Sequence, residues 1–120
     1  MKKLILMVVA FLALTALTEV KAQTPAKSIA AAQYYEGGQE AMYKFINDTK
    51  MYPIMAKKNR VQGECIIHLQ IEADGRIAFA TIVQNVNGGC GAEALRVVKL
   101  LKFRAPGFKV DTNIPVIFKL

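Results

Sequence analysis

The chain has 120 residues, of which 53% are hydrophobic and 21% charged, and its formal net charge is +7. This length allows one domain, and the apolar fraction is too high for a disordered chain. A basic balance raises nucleic acid as a partner, but no stacking aromatic residues stand among the basic ones, so a solvated basic surface, or one that attracts acidic proteins or membrane, is favoured over nucleic-acid binding.

The first 22 residues have the three parts of a secretory signal peptide. Met1-Lys2-Lys3 is a basic start, residues 4–17 are almost entirely apolar, and Val20-Lys21-Ala22 ends in the small residue that signal peptidase requires. The apolar run is shorter than the about 20 residues that a membrane-spanning helix needs. We therefore expect residues 1–22 to be removed on export, and the alternative is an uncleaved inner-membrane anchor.

Residues 23–33 carry no lasting amphipathic pattern and are expected to form a short tether. After Gly37-Gly38, apolar residues recur at helical spacing, which predicts an amphipathic helix over Gln39 to Asp48. Tyr52-Pro53 then marks a second, short helix, because proline suits the first turn of a helix, and this helix should end at Asn59.

From Glu64 the hydrophobic period changes to two, which predicts a strand with one apolar and one wet face. Its apolar face comprises Cys65, Ile67, Leu69 and Ile71. Asp74-Gly75 is a tight-hairpin signal, so the return strand, Arg76 to Gln84, should pair antiparallel with the first strand. Both faces of the return strand are fairly apolar, and we expect one to be covered and the other partly shielded.

After residues 87–91 helical spacing resumes through Leu101, which predicts the longest core helix. Alternation from Ile114 to Leu120 predicts a final strand, and Pro115 inside it is expected at a sheet edge, a strand start or a bulge, because proline cannot donate a ladder hydrogen bond. The predicted fold class is α+β: two short N-terminal helices, a β-hairpin, a core helix and a C-terminal edge strand that completes a three-stranded antiparallel sheet packed on helices.

His68 is the only histidine, and it is predicted on the wet face beside scattered carboxylates. This arrangement lacks metal-ligand spacing, so a solvated surface is favoured over a metal site. No Ser/His/Asp set or phosphate-binding loop fits the predicted elements. The sequence therefore favours a non-enzymatic protein with no cofactor, metal or small-molecule substrate.

Cys65 and Cys90 would meet an oxidising compartment after export, where two thiols in a small domain are more often paired than free. The hairpin should bring both into one neighbourhood, as a disulfide requires. A bond between them would close a loop of about 25 residues and add roughly 3 kcal/mol by the chain-entropy argument. The alternative is a buried Cys65 and a separate, exposed Cys90.

Several short motifs stand in the order and spacing of one family. They are Tyr52-Pro53 with Ala56, Gly63, Asp74-Gly75, Glu93-Ala94-Leu95-Arg96, Phe103 with Pro106-Gly107, and Pro115 with Phe118. With them, residues 34–120 resemble the C-terminal domain of the TonB energy transducer. Tyr35-Glu36-Gly37-Gly38 is similar to the family's Phe-Pro-Gly-Gly opening, although Glu36 replaces the proline.

The resemblance implies a periplasmic domain that captures an extended segment of an outer-membrane TonB-dependent transporter beside its last strand. An edge strand presents unpaired N–H and C=O groups that such a segment can satisfy. The candidate edge residues are Ile114, Pro115, Val116, Ile117, Phe118 and Lys119, although Pro115 and Lys119 are also common edge-blocking residues. The family region before the Tyr-Pro pair also meets the segment, and Lys50 and Tyr52 are its candidate contacts here. Lys50 would face an acidic residue, the alternative being a solvated lysine.

A full transducer of the family also has an uncleaved membrane helix and a long proline-rich linker. We expect no such linker here, since residues 23–33 reach at most about 40 Å when fully extended. The expected function is therefore an adaptor or competitor that binds transporter segments without pulling on them. The alternatives are a structural envelope domain that forms a homodimer through its edge strand, and an uncleaved, membrane-anchored transducer subunit.

Overall fold

A computed structural model describes residues 28–120 of the chain. The expected signal peptide and residues 23–27 of the expected tether lie outside these residues. The elements are a 3-10 helix (Ala30–Tyr34), α1 (Gly38–Thr49), α2 (Ile54–Lys58), β1 (Gly63–Ile71), β2 (Ile77–Gln84), α3 (Cys90–Val98) and β3 (Val110–Phe118). None of the helices in this described part has the length and apolar content that crossing a membrane requires. The predicted α+β class and element order are confirmed.

The N-terminal helices begin where glycine and proline favour a start. Gly37, at φ +91°, precedes α1, and Pro53 precedes α2, whose last residue is Lys58 and whose C-cap is Asn59, where the sequence predicts the end of the helix. Before α1, the 3-10 helix buries two of its alanines, and Ile29 joins the same core. The range expected as a tether therefore contains residues that pack against the domain.

The sheet has the order β2-β1-β3, and both pairings are antiparallel. The predicted apolar face of β1 is confirmed, because Cys65, Ile67, Leu69 and Ile71 are all 0% exposed. Burial of side chains of this size stabilises a fold by about 1.5–3 kcal/mol each. β3 begins at Val110, four residues before the predicted Ile114, because the buried Thr112 continues the inward alternation with a polar side chain.

The helices cover one face of the sheet. α3 packs on β1 and β2, while Met42, Tyr43 and Ile46 of α1 enter the same core. The prediction of the longest helix was wrong, since α3 has 9 residues and α1 has 12.

β2 is more exposed than the sequence predicts. Phe79 is 45% exposed, Ile82 38% and Val83 59%. The expectation that one face is covered and the other shielded was therefore wrong for much of this strand. The physical reason is that the helices cover one face of the sheet only, and Phe79, paired with Gln70, lies on the wet face of β1.

Candidate functional site

The functional question concerns the two edges of the sheet. Because β1 is central, β2 and β3 each leave one side of their backbone without a partner strand from residues 28–120. Unpaired strand edges can receive an additional strand, and proteins usually block them with charges, proline or covering segments. The two edges of this sheet differ in how they are blocked.

The register of β3 shows which of its backbone groups face outward. Pro115 lies opposite Ile66 of β1. Proline has no N–H, so this is a non-hydrogen-bonded pair, and Pro115 turns its carbonyl away from β1. Backbone direction alternates along a strand, so the N–H and C=O groups of Asn113 and Ile117 also point outward.

Two side chains hold these outward carbonyls. The Tyr43 hydroxyl donates to the carbonyl oxygen of Pro115 at 2.6 Å, and the Lys50 ammonium donates to that of Ile117. Tyr43 lies on α1, and Lys50 is the residue that follows α1. The C-terminal half of the β3 edge is thus satisfied by side chains of α1 and of the residue after it, rather than by a strand of residues 28–120.

Other neighbours also hold Lys50 in this position. Besides the Ile117 carbonyl, its ammonium donates to the Asn47 Oδ1 at 3.0 Å and lies 5.5 Å from the centroid of the Phe118 ring. Burial lowers the pKa of Lys50, since desolvation disfavours its charged form. Lys50 is therefore not a fully solvated lysine, and the expected contact with an acidic partner residue stays a prediction.

The candidate edge residues divide between the two faces of β3. The side chains of Ile114, Val116 and Phe118 are buried in the core, at 0%, 0% and 1% exposure. Pro115 and Ile117 are half-buried on the opposite face, and Lys119 is exposed just beyond the strand. An added strand would meet outward backbone and the side chains of the second group, whereas the first group only supports the strand.

Tyr52 contacts other parts of the same domain. Its hydroxyl donates to the carbonyl of Val61, and its ring lies edge-on to Phe118 with 5.6 Å between centroids. These contacts fasten the segment before α2 to the core and to β3. Tyr52 therefore shapes the region in which Lys50 lies.

The N-terminal half of the β3 edge borders a surface cavity of about 410 Å³, lined by Ser28, Ile29, Ala30, His68, Asp111, Thr112 and Asn113. The His68 ring faces two acceptor oxygens of β3, with its Nδ1 2.9 Å from the Asn113 Oδ1 and its Nε2 3.4 Å from the Asp111 Oδ1. Among residues 28–120, no group of three or more histidine, cysteine or acidic residues is arranged to hold a metal ion.

Cys65 and Cys90 are both fully buried, and both are thiols in the structure. Cys65 lies on β1, and Cys90 is the first residue of α3, which packs on β1. Burial raises the pKa of both thiols, and the proximity of Cys90 raises that of Cys65 further. The alternative of an exposed Cys90 is therefore wrong, while the pairing of the two cysteines stays a prediction.

Tyr43 is the site residue that sequence reasoning missed. It lies among the apolar residues of α1 and is 1% exposed, and burial raises the pKa of its hydroxyl. A buried tyrosine needs a partner for its hydroxyl, which is the signal that was available in the sequence. The partner itself could not be read, because it stands 72 positions away.

Comparison with known proteins places this geometry in a family. Residues 48–120 match the family model described as the Gram-negative bacterial TonB protein C-terminal. The solution structure of the Helicobacter pylori TonB C-terminal domain, residues 179–285, is similar with a TM-score of 0.58 and 24% identity, over 80% of this chain and 97% of that chain. A shorter form of it, residues 194–285, gives a TM-score of 0.53 and 26% identity, over 66% and 89%. No curated protein matches the chain.

Proposed function

Because this chain belongs to the Gram-negative TonB C-terminal family, we propose that it is a non-enzymatic periplasmic protein that binds an extended segment of an outer-membrane TonB-dependent transporter. The segment is added as a strand beside β3. The contacts are the outward backbone from Asn113 to Ile117 and the side chains of Pro115, Ile117 and Lys119, with Lys50 and Tyr52 beside them.

The observation that carries this proposal is the way in which the β3 edge is satisfied. The carbonyls of Pro115 and Ile117 accept from two side chains, Tyr43 and Lys50, and not from another strand. Side chains can rotate away without unfolding the sheet, so an incoming strand can exchange its own N–H groups for these two donors. The edge is closed in the free protein and can be opened by a partner.

This exchange of hydrogen-bond donors limits the affinity of the β3 edge for an incoming segment. A hydrogen bond contributes about 1 kcal/mol net, so replacing two existing donors by two backbone donors is close to neutral. The gain must come from new bonds to the Asn113 and Ile117 backbone and from contacts with the exposed side chains. Binding should therefore be weak and reversible, as befits an adaptor or competitor that occupies transporter segments without transmitting force.

The proposal is tested by site-specific photo-cross-linking from Ile117 in growing cells, with the attached proteins identified by mass spectrometry. The matched control is cross-linking from Val83 on β2, which is 59% exposed and lies at the other edge of the sheet. Capture of a transporter's periplasmic segment from Ile117, and not from Val83, supports the proposal. Equal capture from both positions, or no transporter from either, contradicts it.

The same sample reports the processing of the chain. A mature N-terminus at Gln23 fits an exported adaptor, whereas retention of Met1 points to a membrane-anchored transducer subunit. The two outcomes separate the leading proposal from this alternative without depending on the cross-linking result.

A further inference from the structure

The most exposed large apolar side chains of the domain lie together at α2. Ile54 is 72% exposed, Met51 70% and Met55 60%, and these are the three highest values among the large apolar residues of 28–120. All three lie between positions 51 and 55, whereas a folded domain usually scatters its exposed apolar residues singly. This cluster therefore indicates an interaction surface.

The packing of α2 explains why these side chains point away from the core. Ala56 is 0% exposed and faces Gly88, where an added Cβ would lie 2.8 Å from the Ala56 Cβ. Successive residues of a helix are about 100° apart, so Ile54 and Lys58 both lie nearly opposite Ala56 and one turn from each other. The outer side of α2 thus combines an apolar and a basic side chain.

Basic residues follow the apolar cluster. Lys57, Lys58 and Arg60 are all exposed, and the chain has no acidic residue from position 49 to position 63. Among residues 28–120, the ion pairs of the structure involve none of these three side chains. Their charges therefore face water beside the exposed apolar groups.

Met51 is anchored by its backbone. Its N–H donates to the Glu93 carboxylate at 2.6 Å, and the same carboxylate pairs with the Arg96 guanidinium at 2.7 Å. The negative charge of Glu93 is thus balanced within the domain, and the Met51 side chain projects from a fixed point.

The backbone of Arg60 supports a role for its side chain. Its φ is +53°, which makes it the one residue other than glycine with a positive φ among residues 28–120. The turn is closed by a hydrogen bond from the Val61 N–H to the Ala56 carbonyl at 2.8 Å. Glycine is the usual residue at such a position after a helix, because a side chain there costs conformational energy. An arginine in its place indicates that the charge is used.

We propose that this apolar and basic surface binds an anionic phospholipid membrane. The docking surface comprises Met51, Ile54, Met55, Lys57, Lys58 and Arg60. Its apolar side chains enter the boundary between headgroups and acyl chains, and its basic side chains contact the lipid phosphates.

The shape of the docking surface favours a membrane over an acidic peptide. Sites for small ligands and peptides are concave, whereas apolar side chains with 60–72% exposure project from the domain. A membrane interface accepts projecting apolar side chains, and neighbouring basic residues add attraction to anionic lipids. The net charge of +7 of the whole chain adds attraction at longer range.

Membrane docking does not depend on strand addition at β3. The two surfaces are neighbours, because Lys50, which donates to the Ile117 carbonyl, directly precedes Met51. The docking surface thus begins beside the C-terminal end of the β3 edge. If strand addition occurs as proposed, docking holds that edge near the membrane from which a transporter segment emerges.

Vesicle cosedimentation tests the proposal. The exported chain is mixed with vesicles of phosphatidylcholine that contain phosphatidylglycerol, and with vesicles of phosphatidylcholine alone. We expect binding to the anionic vesicles to be at least about tenfold tighter and to weaken as salt is added. Equal binding to both kinds of vesicle, or no binding to the anionic ones, overturns the proposal.

Charge substitutions locate the surface. Lys57→Gln combined with Lys58→Gln should weaken binding to the anionic vesicles at least about tenfold. The matched control, Lys102→Gln combined with Lys109→Gln, removes the same charge at exposed positions outside the docking surface. All variants share one N-terminus, so any contribution from the first residues of the chain cancels. Equal weakening by both pairs would show that net charge alone matters and would contradict the assigned surface.

Arg60→Gly separates a loss of binding from a loss of folding. Glycine adopts the left-handed conformation without a side-chain penalty, so the urea midpoint should not fall, whereas vesicle binding should weaken several-fold. Unchanged vesicle binding by this variant would contradict the role of Arg60.

Tryptophan fluorescence tests whether the apolar residues enter the membrane. The chain contains no tryptophan, so Ile54→Trp introduces a single reporter at a position that is 72% exposed. Its emission should shift to shorter wavelength with anionic vesicles and stay constant with soluble polyglutamate, because only the membrane offers an apolar environment. Val83→Trp on β2, at a position that is 59% exposed, is the control and should not shift. A shift of Ile54→Trp with polyglutamate and not with vesicles would indicate an acidic protein partner and overturn membrane docking.

Discussion

The hydroxyl of Tyr43 and the carbonyl of Pro115 are joined by a hydrogen bond of 2.6 Å that connects α1 to the outer edge of β3. Tyr43→Phe removes the donor and keeps the ring, so we expect the free energy of unfolding to fall by about 1 kcal/mol with the fold retained. Urea denaturation measures this change. The matched control is Tyr35→Phe, whose ring packs edge-on to Phe103 at 6.0 Å. An equal effect of both substitutions would contradict the assigned role of Tyr43.

Lys50→Met should open the C-terminal end of the same edge. The variant keeps an apolar stem against Phe118 but no longer donates to the Ile117 carbonyl. If an incoming strand must displace Lys50, the variant should bind a synthetic transporter segment several-fold more tightly, since one hydrogen bond of about 1 kcal/mol no longer competes. Fluorescence anisotropy measures this affinity. Lys44→Met, on the exposed side of α1, is the control, and weaker binding by Lys50→Met would show that Lys50 contacts the partner instead.

Glu93 should contribute to the loss of stability at acid pH. Its carboxylate accepts from Arg96 at 2.7 and 2.8 Å and from the Met51 N–H at 2.6 Å. The hydrogen bonds from Arg96, first, and the Met51 bond hold the pKa of Glu93 below its ordinary value. A carboxyl group with a lowered folded-state pKa stabilises the fold above its unfolded-state pKa, and this contribution is lost as the pH falls through the folded-state pKa.

Glu93→Gln should therefore lower the free energy of unfolding at neutral pH by about 1–3 kcal/mol, and it should flatten the decline of stability in acid. Thermal unfolding between neutral pH and the acid range measures both effects. Glu40→Gln, at an exposed position in the first turn of α1, serves as the control. If the decline of stability in acid is unchanged in Glu93→Gln, another carboxyl group is responsible for that decline.

We expect Cys65 and Cys90 to be paired in the exported protein. Both are buried in the same core, and Cys90 lies close enough to influence the pKa of Cys65. Alkylation of the denatured, unreduced protein should then label neither cysteine, and reduction should cost roughly 3 kcal/mol of stability. In the double variant Cys65→Ala and Cys90→Ala, reduction should change nothing. Labelling of both cysteines before reduction would refute the pairing.

The sequence was sufficient for the elements of this fold but not for the positions of their edges. Alternation in β1 and helical spacing in α1 are local signals, and both survive folding because each element buries one face. The apolar pattern of β2 is equally clear, yet the exposure of its side chains depends on which face of the sheet the helices cover. That coverage is determined by the whole topology, so Phe79 and Val83 could not be recognised as exposed.

The sequence predicted the candidate site only in part, because it indicated the edge strand but not the side chains that cover it. Pro115 indicated an edge because proline cannot serve a ladder on both sides. The side chains that close this edge, Tyr43 and Lys50, lie 72 and 67 positions from their acceptors. Contacts of this sequence separation depend on how α1 crosses the sheet, and no local pattern encodes that crossing.

If a segment is added beside β3 as proposed, Pro115 also restricts which sequences can bind there. Between Asn113 and Ile117 the outward backbone offers a carbonyl and no N–H, so the partner residue at this point must donate through its own amide and receives nothing in return. A segment with proline at that position would form no bond there, whereas shifting the segment by two residues would restore one. Pro115 would thus favour some alignments of an incoming chain over others. Transporter segments that carry a proline at different positions should therefore bind beside β3 with different affinities.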